Sequence, residues 1–205
     1  AAAEAGSDAV KFQLFRASKL YPRNAGQSHY LRLDESIYDL MANMEMPYEW
    51  LPELASYCLE QEIIFLSSVF DEESADQLAP YVPAYKIASF ENTHLPLIKK
   101  VAATGKPMII STGMASIAEL DETVQTIRAA GCEDFVLLKC TSTYPATPKN
   151  SNVLTIPHMR KLFNCEVGLS DHTMGIGSSV AAVAHGATVI EKHFTLNRSD
   201  GGVDS

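Results

Sequence analysis

The stretch "PMIISTGMASIAELDETVQTIRAAGCEDFVLLKCT", residues 107–141, contains the pattern from which the fold can be predicted. An apolar, β-rich run, "PMIIST", is followed by a segment with helical periodicity and then by a second apolar run, "FVLLKCT". Ser116 and Glu119 have the spacing of a capping box at the start of this helix, and Gly131 stands where a helix is expected to stop. Two strands joined through a helix predict a parallel pair.

The same alternation runs through the whole chain. Segments such as "HLPLIKKVAATG" and "MGIGSSVAAVAHG" end in glycine shortly before the next β-rich run. Seven strands separated mainly by helices predict a parallel sheet with right-handed crossovers. Residues 16–48 interrupt the alternation with several turn formers, so we expect an elaborated loop there that covers the functional site. The other five β-rich runs are "AVKFQLF", "IIFLSSV", "AYKIAS", "EVGLSDH" and "TVIEKHFT".

Two architectures fit this order of elements, an open doubly wound sheet and a (β/α)8 barrel. The sequence contains no G-x-G-x-x-G phosphate loop, and polar residues instead follow nearly every β-rich run. This distribution is typical of a barrel, whose active site is built at the C-terminal ends of its strands. We therefore predict an α/β fold of the TIM-barrel type with seven strands. The opening segment "AAAEAGSDA" resembles the tail of a helix, so we expect that the first barrel strand is absent and that the chain is part of a longer protein.

Composition narrows the class of partner. With 205 residues and 46% hydrophobic content, residues 1–205 are expected to form a single barrel domain. A formal charge of −9 argues against nucleic acid or an acidic membrane surface as partner. The apolar runs are too short to span a bilayer. The four cysteines have no metal-type CxxC spacing, which predicts free thiols in a reducing cytoplasm.

The last two β-rich runs carry the clearest candidate for a metal site. Because side chains alternate along a strand, Ser170 shares a face with His172, and Glu191 shares a face with His193. Two imidazoles at adjacent strand ends, close to a carboxylate, suit a divalent transition metal such as Mn, Fe, Co or Zn. The alternative is a pair of structural histidines with hydrogen-bonded rings. Asp171, between Ser170 and His172 in the sequence, is a candidate cap for the helix that follows.

Two lysines provide a candidate anion site. Lys11 and Lys86 lie inside apolar strands, where an unpaired ammonium group is unfavourable. A bound phosphate or carboxylate would compensate each of them, and a buried ion pair with Asp or Glu is the alternative. Ser68, Ser89 and Ser142 add hydroxyl groups at successive strand ends, although serine also commonly caps helices. The residues alone therefore predict a metal-assisted barrel enzyme that acts on a small anionic substrate.

Six segments, which follow one another along the chain in the order found in the family, resemble the sialic acid synthase family. This family contains the N-acetylneuraminate synthase-type enzymes, including the pseudaminic and legionaminic acid synthases. The resemblance runs from about Val10 to the last residue. It implies condensation of phosphoenolpyruvate with the open-chain aldehyde of an N-acetylated hexosamine, to give a nonulosonic acid and phosphate. The segments are "FLSSVFDEESADQL", "VPAYKIASFE", "PLIKKVAATGKPMIISTGMAS", "LLKCTSTYPA", "VGLSDHTMGI" and "GATVIEKHFTLNRSDGGVD".

The resemblance also implies roles for individual residues. The family's metal, usually manganese with magnesium or cobalt possible, would be held by His172 and His193. Glu191 would hold a metal-bound water or orient His193, and Lys192, of opposite parity, would point away into a structural ion pair. The implied contacts to phosphoenolpyruvate are Lys11, Lys86, Ser68, Ser89, Ser142 and Ser170, and those to the sugar are Gln13, Phe70, Tyr144 and Asp204.

Three departures from the family pattern affect these expectations. Ser68 stands where the family often has threonine, Ser142 where it often has asparagine, and the segment "GGVDS" replaces an ending like "PGPDH". Ser142 shortens the reach of the side chain, and the changed ending bears on the identity of the sugar.

The family further implies a homodimer in which a C-terminal antifreeze-like domain reaches the partner's site. That domain and the first strand are expected to be absent here, so the chain alone should have little or no activity. Two rival functions remain open at this point. One is a synthase that makes a 3-deoxy sugar acid from phosphoenolpyruvate and a phosphorylated aldose, and the other is a non-catalytic barrel module.

Overall fold

The computed structural model describes residues 1–27 and 35–201, and the chain divides into two compact units, residues 1–85 and 86–205. In the first unit β1 and β2 pair in parallel, with Val10 opposite Phe65 and Gln13 opposite Ser68. The elements of this unit are β1 (Ala9–Leu14), α1 (Ala17–Leu20), α2 (Ile37–Asn43), α3 (Leu51–Glu60), β2 (Ile64–Val69) and α4 (Glu72–Leu78).

The second unit continues the alternation of strand and helix. Its pairs β4–β5, β5–β6 and β6–β7 are all parallel. Each of these neighbouring strands is joined to the next through a helix, as parallel pairing requires. The elements are β3 (Tyr85–Ile87, starting at the boundary of the units), α5 (Leu95–Ala102), β4 (Met108–Ser111), α6 (Ile117–Ala129), β5 (Phe135–Cys140), α7 (Thr155–Phe163), β6 (Glu166–Asp171), α8 (Gly177–Ala184) and β7 (Ile190–Lys192).

The α/β class predicted from the sequence is confirmed, and each of the seven β-rich runs contains a strand. The predicted capping box is also present: the Ser116 hydroxyl accepts from Glu119 N–H at 3.3 Å, and the Glu119 carboxylate accepts from Ser116 N–H at 2.7 Å. Gly131 follows α6 with φ +87°, a left-handed conformation that favours glycine.

Residues 2–6 of the opening segment form a turn whose hydrogen bonds have the pattern of a helix C-terminus, which agrees with the predicted helix tail. Ala5 N–H donates to Ala1 O and Gly6 N–H donates to Ala3 O. Most of these residues are exposed.

The long segment between β1 and α3 contains two short helices, α1 and α2. Ser36 caps α2, because its hydroxyl accepts from Asp39 N–H at 3.1 Å. Residues 28–34 of the predicted loop lie outside the described residues. Coverage of the functional site by this segment therefore remains a prediction.

Burial along the strands of the second unit explains why their sequences read as continuous apolar runs. Ile110, Leu137, Leu138 and Val167 are all fully buried, as expected for parallel strands that are covered on both faces. In the described part of the chain, no helix has the length and apolarity needed to cross a membrane.

A glycine brings β7 close to β6. A Cβ atom added at Gly168 would collide with the carbonyl oxygen of Val189 and would meet a methyl carbon of Leu138 at 2.7 Å. The absence of a side chain lets Leu169 N–H donate to Val189 O at 2.8 Å. This approach places Ser170 of β6 opposite Glu191 of β7.

Candidate active site

The buried lysine of β3 is the centre of a polar cluster. Lys86 is 3% exposed, and its Nζ donates to Ser111 Oγ at 2.7 Å and to Ile87 O at 3.2 Å. The same Nζ forms an ion pair with Glu191 Oε2 at 3.3 Å. A buried ammonium group needs such partners, because removing an unpaired charge from water is very unfavourable.

The carboxylate of Glu191 contacts two hydroxyl groups as well as the ammonium group of Lys86. Ser170 Oγ donates to Glu191 Oε2 at 2.8 Å, and Ser111 Oγ lies 3.5 Å from the same oxygen. The ends of β3, β4, β6 and β7 thus contribute side chains to one point. Of the two sequence alternatives for Lys86, a bound anion or an ion pair, the structure contains the ion pair.

Ser111 is a member of this cluster that the sequence reasoning missed. It is the last residue of β4 in the run "PMIIST" and is buried. Its position as a hydroxyl at a strand end is the same signal that singled out Ser68 and Ser89. That signal was available for Ser111 and was not used.

The two predicted metal ligands lie beside one another just beyond β6 and β7. The ring centroids of His172 and His193 are 5.3 Å apart, with an angle of 41° between the rings. His172 Nδ1 lies 2.9 Å from the carbonyl oxygen of Thr141. Because a carbonyl oxygen only accepts, Nδ1 carries the proton of the neutral ring and Nε2 keeps its lone pair. A metal-binding histidine is usually oriented in this way, by a hydrogen bond from the ring nitrogen that does not bind the metal.

The ring of Tyr144 packs against both histidines. Its centroid is 4.2 Å from that of His172 and 5.8 Å from that of His193. The segment "CTSTYPA" after β5 therefore brings an aromatic side chain to the histidine pair, where the resemblance implied a contact to the sugar.

Two histidines can supply part of a metal coordination shell. In residues 1–27 and 35–201, no group of three or more His, Cys, Asp or Glu side chains is arranged to hold a metal ion. Two imidazoles would leave several coordination positions to water or substrate oxygen atoms, as a catalytic metal requires. The donor set fits a borderline divalent cation in an open site better than a closed structural one.

His172 also interacts with a buried thiol. Burial lowers the pKa of His172, but its hydrogen bonds to Cys140 and Thr141 and the nearby charge of Glu191 outweigh burial, so that the net pKa is raised. For Cys140, burial raises the pKa, but interactions with His172, Ser89 and Ser142 outweigh burial and lower the pKa to about 7. Its Sγ lies 3.9 Å from His172 Nδ1 and 3.7 Å from Ser142 Oγ. The sequence reasoning assigned this cysteine no place in the site.

Ser89 and Ser142 both lie close to Gly113, a glycine that follows β4. Gly113 N–H donates to Ser89 Oγ at 3.1 Å. A Cβ atom at Gly113 would overlap Ser142 Oγ and would lie 2.9 Å from Ser89 Oγ and 3.2 Å from Cys140 Sγ. Glycine is therefore required for these three side chains to converge.

Glu91 is a second residue that the sequence reasoning missed. It is buried, and within the described part of the chain its Oε2 has no hydrogen-bond partner. Burial raises the pKa of Glu91 to about 7, although the backbone N–H of Glu91 and the charge of Lys86 act in the opposite direction. An acidic residue two positions beyond Ser89, in "IASFEN", was the available signal.

Four predicted substrate residues lie in the first unit. Lys11 Nζ donates to Ser68 Oγ at 3.4 Å, and Gln13 lies opposite Ser68 in the β1–β2 register. The ring of Phe70 packs edge-on against Phe15 at 5.7 Å. Asp204, the remaining predicted sugar contact, lies outside the described residues.

Asp171 does not cap the following helix, so that interpretation was wrong. α8 begins at Gly177 with Ile176 in the capping position. Asp171 Oδ1 instead accepts from Thr173 N–H at 2.9 Å, and its Oδ2 forms an ion pair with Lys192 at 3.0 Å. The expected structural ion pair of Lys192 is thereby confirmed.

Lys139 of β5 is buried and donates to Thr141 Oγ1 at 2.5 Å. Burial lowers the pKa of this lysine. All four cysteines are free, as predicted, and Cys165 is the only one that is not fully buried.

Comparison with known proteins identifies relatives of this chain. The spore coat polysaccharide biosynthesis protein SpsE of Bacillus subtilis is 46% identical over 208 residues, which cover 100% of this chain and 56% of the relative. N,N'-diacetyllegionaminic acid synthase of Campylobacter jejuni is 39% identical over 210 residues, covering 99% of this chain and 63% of the relative. The chain thus spans little more than half the length of these curated relatives.

A solved structure agrees with the fold. The N-acetylneuraminic acid synthetase of Leptospira borgpetersenii, crystallised in complex with citrate, has a TM-score of 0.90 at 28% identity and covers 99% of this chain and 68% of its own. This similarity agrees with the predicted TIM-barrel-type α/β class. The model of the NeuB family matches residues 1–205. The order of polar strand ends, the paired histidines and these similarities lead to one conclusion: the chain belongs to the NeuB family.

Proposed function

We propose that the protein containing this chain condenses phosphoenolpyruvate with the open-chain aldehyde of an N-acetylated hexosamine, giving a nonulosonic acid and inorganic phosphate. The observation that carries this proposal is the cluster of Lys86 with Ser111 and Ser170, in the same unit as the neighbouring rings of His172 and His193. An anion-binding cluster and a candidate metal pair are the two parts that such a condensation needs. The similarity to N,N'-diacetyllegionaminic acid synthase of Campylobacter jejuni supports the same chemistry.

The anionic substrate is assigned to the lysines and hydroxyl groups. Lys86 would neutralise the phosphate or the carboxylate of phosphoenolpyruvate, and Ser89, Ser142 and Ser170 would fix its orientation. Ser111 joins this set because its hydroxyl already receives a hydrogen bond from Lys86 Nζ. Lys11 and Ser68, which lie 3.4 Å apart in residues 1–85, supply further donors in this proposal.

The metal is assigned to His172 and His193, with manganese favoured and magnesium or cobalt possible. When bound, such a cation supplies Lewis acidity to the aldehyde oxygen. Thr141 orients His172 through the carbonyl oxygen that accepts from Nδ1, and this leaves Nε2 facing away from the backbone. Tyr144, Gln13, Phe70 and Asp204 are assigned to the sugar, with Tyr144 restricting the sugar to one side of the histidine pair.

The reaction then follows from these placements. Carbon 3 of phosphoenolpyruvate attacks the aldehyde carbon, and water adds at carbon 2 to give a tetrahedral phosphohemiketal that expels phosphate. Lys86 stabilises the anionic groups throughout, since a preorganised ammonium group in a buried site needs no reorganisation during the reaction. Glu191, which contacts Lys86 and Ser170, holds these donors in position and is assigned to the water or to His193 once substrate is bound.

We also propose that residues 1–205 are the catalytic barrel domain of a longer, cytoplasmic homodimer. The greater length of the relatives and the four free cysteines support this assignment. The acidic charge of the chain supports a small-molecule substrate, with neither nucleic acid nor a membrane as partner.

The test is phosphate release from phosphoenolpyruvate by the longer protein, with a panel of N-acetylated hexosamines and with phosphorylated aldoses. We expect release only with an unphosphorylated N-acetylated sugar, in a reaction that EDTA stops and manganese restores. Turnover of a phosphorylated aldose alone would favour a synthase of 3-deoxy sugar acids. A lack of metal uptake, together with His172→Ala and His193→Ala variants that behave like the parent, would favour a non-catalytic module.

A further inference from the structure

We propose that the carboxylate of Glu191 is an internal substitute for the substrate's anion, which occupies the donors of Lys86, Ser111 and Ser170 until an incoming phosphate or carboxylate displaces it. The identity of that anion as phosphoenolpyruvate rests on the proposed function. The occupation of the donors by Glu191 does not depend on it.

The contacts of one oxygen atom motivate this inference. Glu191 Oε2 lies 3.3 Å from Lys86 Nζ, 2.8 Å from Ser170 Oγ and 3.5 Å from Ser111 Oγ. One ammonium and two hydroxyl groups around a single anionic oxygen form the arrangement with which proteins bind an oxygen of phosphate or carboxylate. The donors come from three different strands, and the oxygen comes from a fourth.

The chemistry of the cluster makes Glu191 and a substrate anion competitors. Lys86 is almost completely buried, so without an anion its charge would be strongly unfavourable. Glu191 supplies that anion in the ligand-free protein. A phosphate placed on the same donors would meet the carboxylate at close range, and two like charges in a poorly solvated site repel one another.

Burial indicates which partner moves. The side chain of Lys86 is 4% exposed and is also fixed by Ile87 O and Ser111 Oγ, whereas the side chain of Glu191 is 20% exposed. We therefore infer that Glu191 leaves Lys86 and that the lysine stays in place.

The experiment measures anion binding to the EDTA-treated 205-residue chain by isothermal titration calorimetry, with inorganic phosphate and with phosphoenolpyruvate. Glu191→Gln keeps the size of the side chain and removes its charge. We expect both anions to bind at least about tenfold more tightly to Glu191→Gln than to the parent. A tenfold lower Kd corresponds to a gain of only ~1.4 kcal/mol in binding free energy. Glu166→Gln is the control, since it removes one charge from an exposed pair with Arg160. It should change affinity less than about twofold if long-range charge is screened.

A structural role for Glu191 would give the opposite result, because loss of a stabilising contact weakens binding. Unchanged or weaker anion binding by Glu191→Gln overturns the inference. Glu191→Ala decides the matter if Glu191→Gln does not fold, and Glu191→Asp, which keeps the charge, should bind closer to the parent than either. Phosphate should also raise the melting temperature of Glu191→Gln by more than that of the parent.

These outcomes separate the inference from the proposed function. Tighter phosphate binding by Glu191→Gln supports the inference even if the longer protein makes no nonulosonic acid. Synthase activity combined with unchanged anion affinity in the variant leaves the proposed function standing and removes the inference.

Discussion

The ring of Tyr144 lies against the ring of His172, with centroids 4.2 Å apart and an interplanar angle of 39°. The phenol comes from the segment after β5 and the imidazole from the segment after β6, so two successive strand ends form one aromatic surface. On this surface the proposed metal-binding and sugar-binding groups are in direct contact. A substitution at either residue is therefore expected to alter both functions.

Manganese binding should require the histidine pair. We expect the double variant His172→Ala/His193→Ala to lose at least 100-fold in manganese affinity, as removing both protein ligands should exceed the loss of 10–100-fold typical of an outer-shell partner. Calorimetric titration of the EDTA-treated chain measures this. His158→Ala, an exposed histidine of α7, is the control and should bind like the parent. Parent-like affinity in the double variant would show that the histidines are structural.

Gly113→Ala should disturb the hydroxyl cluster. The new methyl group would overlap Ser142 Oγ and crowd Ser89 Oγ, so we expect a loss of about 1–3 kcal/mol in unfolding free energy and weaker binding of phosphoenolpyruvate. Chemical denaturation and calorimetry measure the two effects. Gly177→Ala places its methyl group in open space and is the control. Adding Ser142→Gly to Gly113→Ala should recover stability, and failure to do so would place the clash elsewhere.

Glu91 should make stability depend on pH. Because burial raises the pKa of Glu91 to about 7, the folded protein binds this proton more tightly than the unfolded chain does. Its contribution to stability is therefore complete below about pH 4.5 and is lost as pH rises through about 7, by up to ~3 kcal/mol. Denaturation between pH 4.5 and 8 should show a flatter profile for Glu91→Gln than for the parent. Glu133→Gln, on the surface, should keep the parent's slope, and identical slopes in all three proteins would contradict the assignment.

Asp171 should be more important for stability than its partner Lys192. Asp171 is buried and accepts hydrogen bonds from Thr173 and Ser179 in addition to the ion pair, while Lys192 is partly exposed. We expect Asp171→Ala to destabilise by roughly 3 kcal/mol or more, because it leaves several buried donors without an acceptor. Lys192→Met should lower the unfolding free energy by less than Asp171→Ala does. Urea denaturation ranks the two, and a larger effect of Lys192→Met would be inconsistent with this arrangement.

The 205-residue chain alone should release little phosphate from phosphoenolpyruvate and N-acetylmannosamine. The match covers only 56% of the SpsE relative, and the family resemblance implies that a C-terminal antifreeze-like domain completes the partner's site. A coupled phosphate assay on the chain, with the longer protein assayed in parallel, checks this. Robust release by the chain would show that the described residues suffice for catalysis.

The strands could be predicted because parallel strands that are buried on both faces are uninterrupted apolar runs, as in "FVLLKCT". The contact of Ser170 with Glu191 also follows from the alternation of side chains on adjacent strands. Ser111 carries the strand-end signal, but its contact with Lys86 depends on a different strand. The burial of Glu91, which follows the same strand as Lys86, depends on tertiary packing that the local sequence does not show. The wrong role for Asp171 has the same origin, since its partner Lys192 lies 21 residues away in sequence.

The approach of β7 to β6 at Gly168 limits how this chain can evolve. Every other amino acid would introduce at least one carbon atom where the backbone of Val189 already lies. Such a residue would force β7 away from β6 and would displace the carboxylate of Glu191 and the imidazole of His193. A library that varies every position should therefore recover only the parental residue at 168.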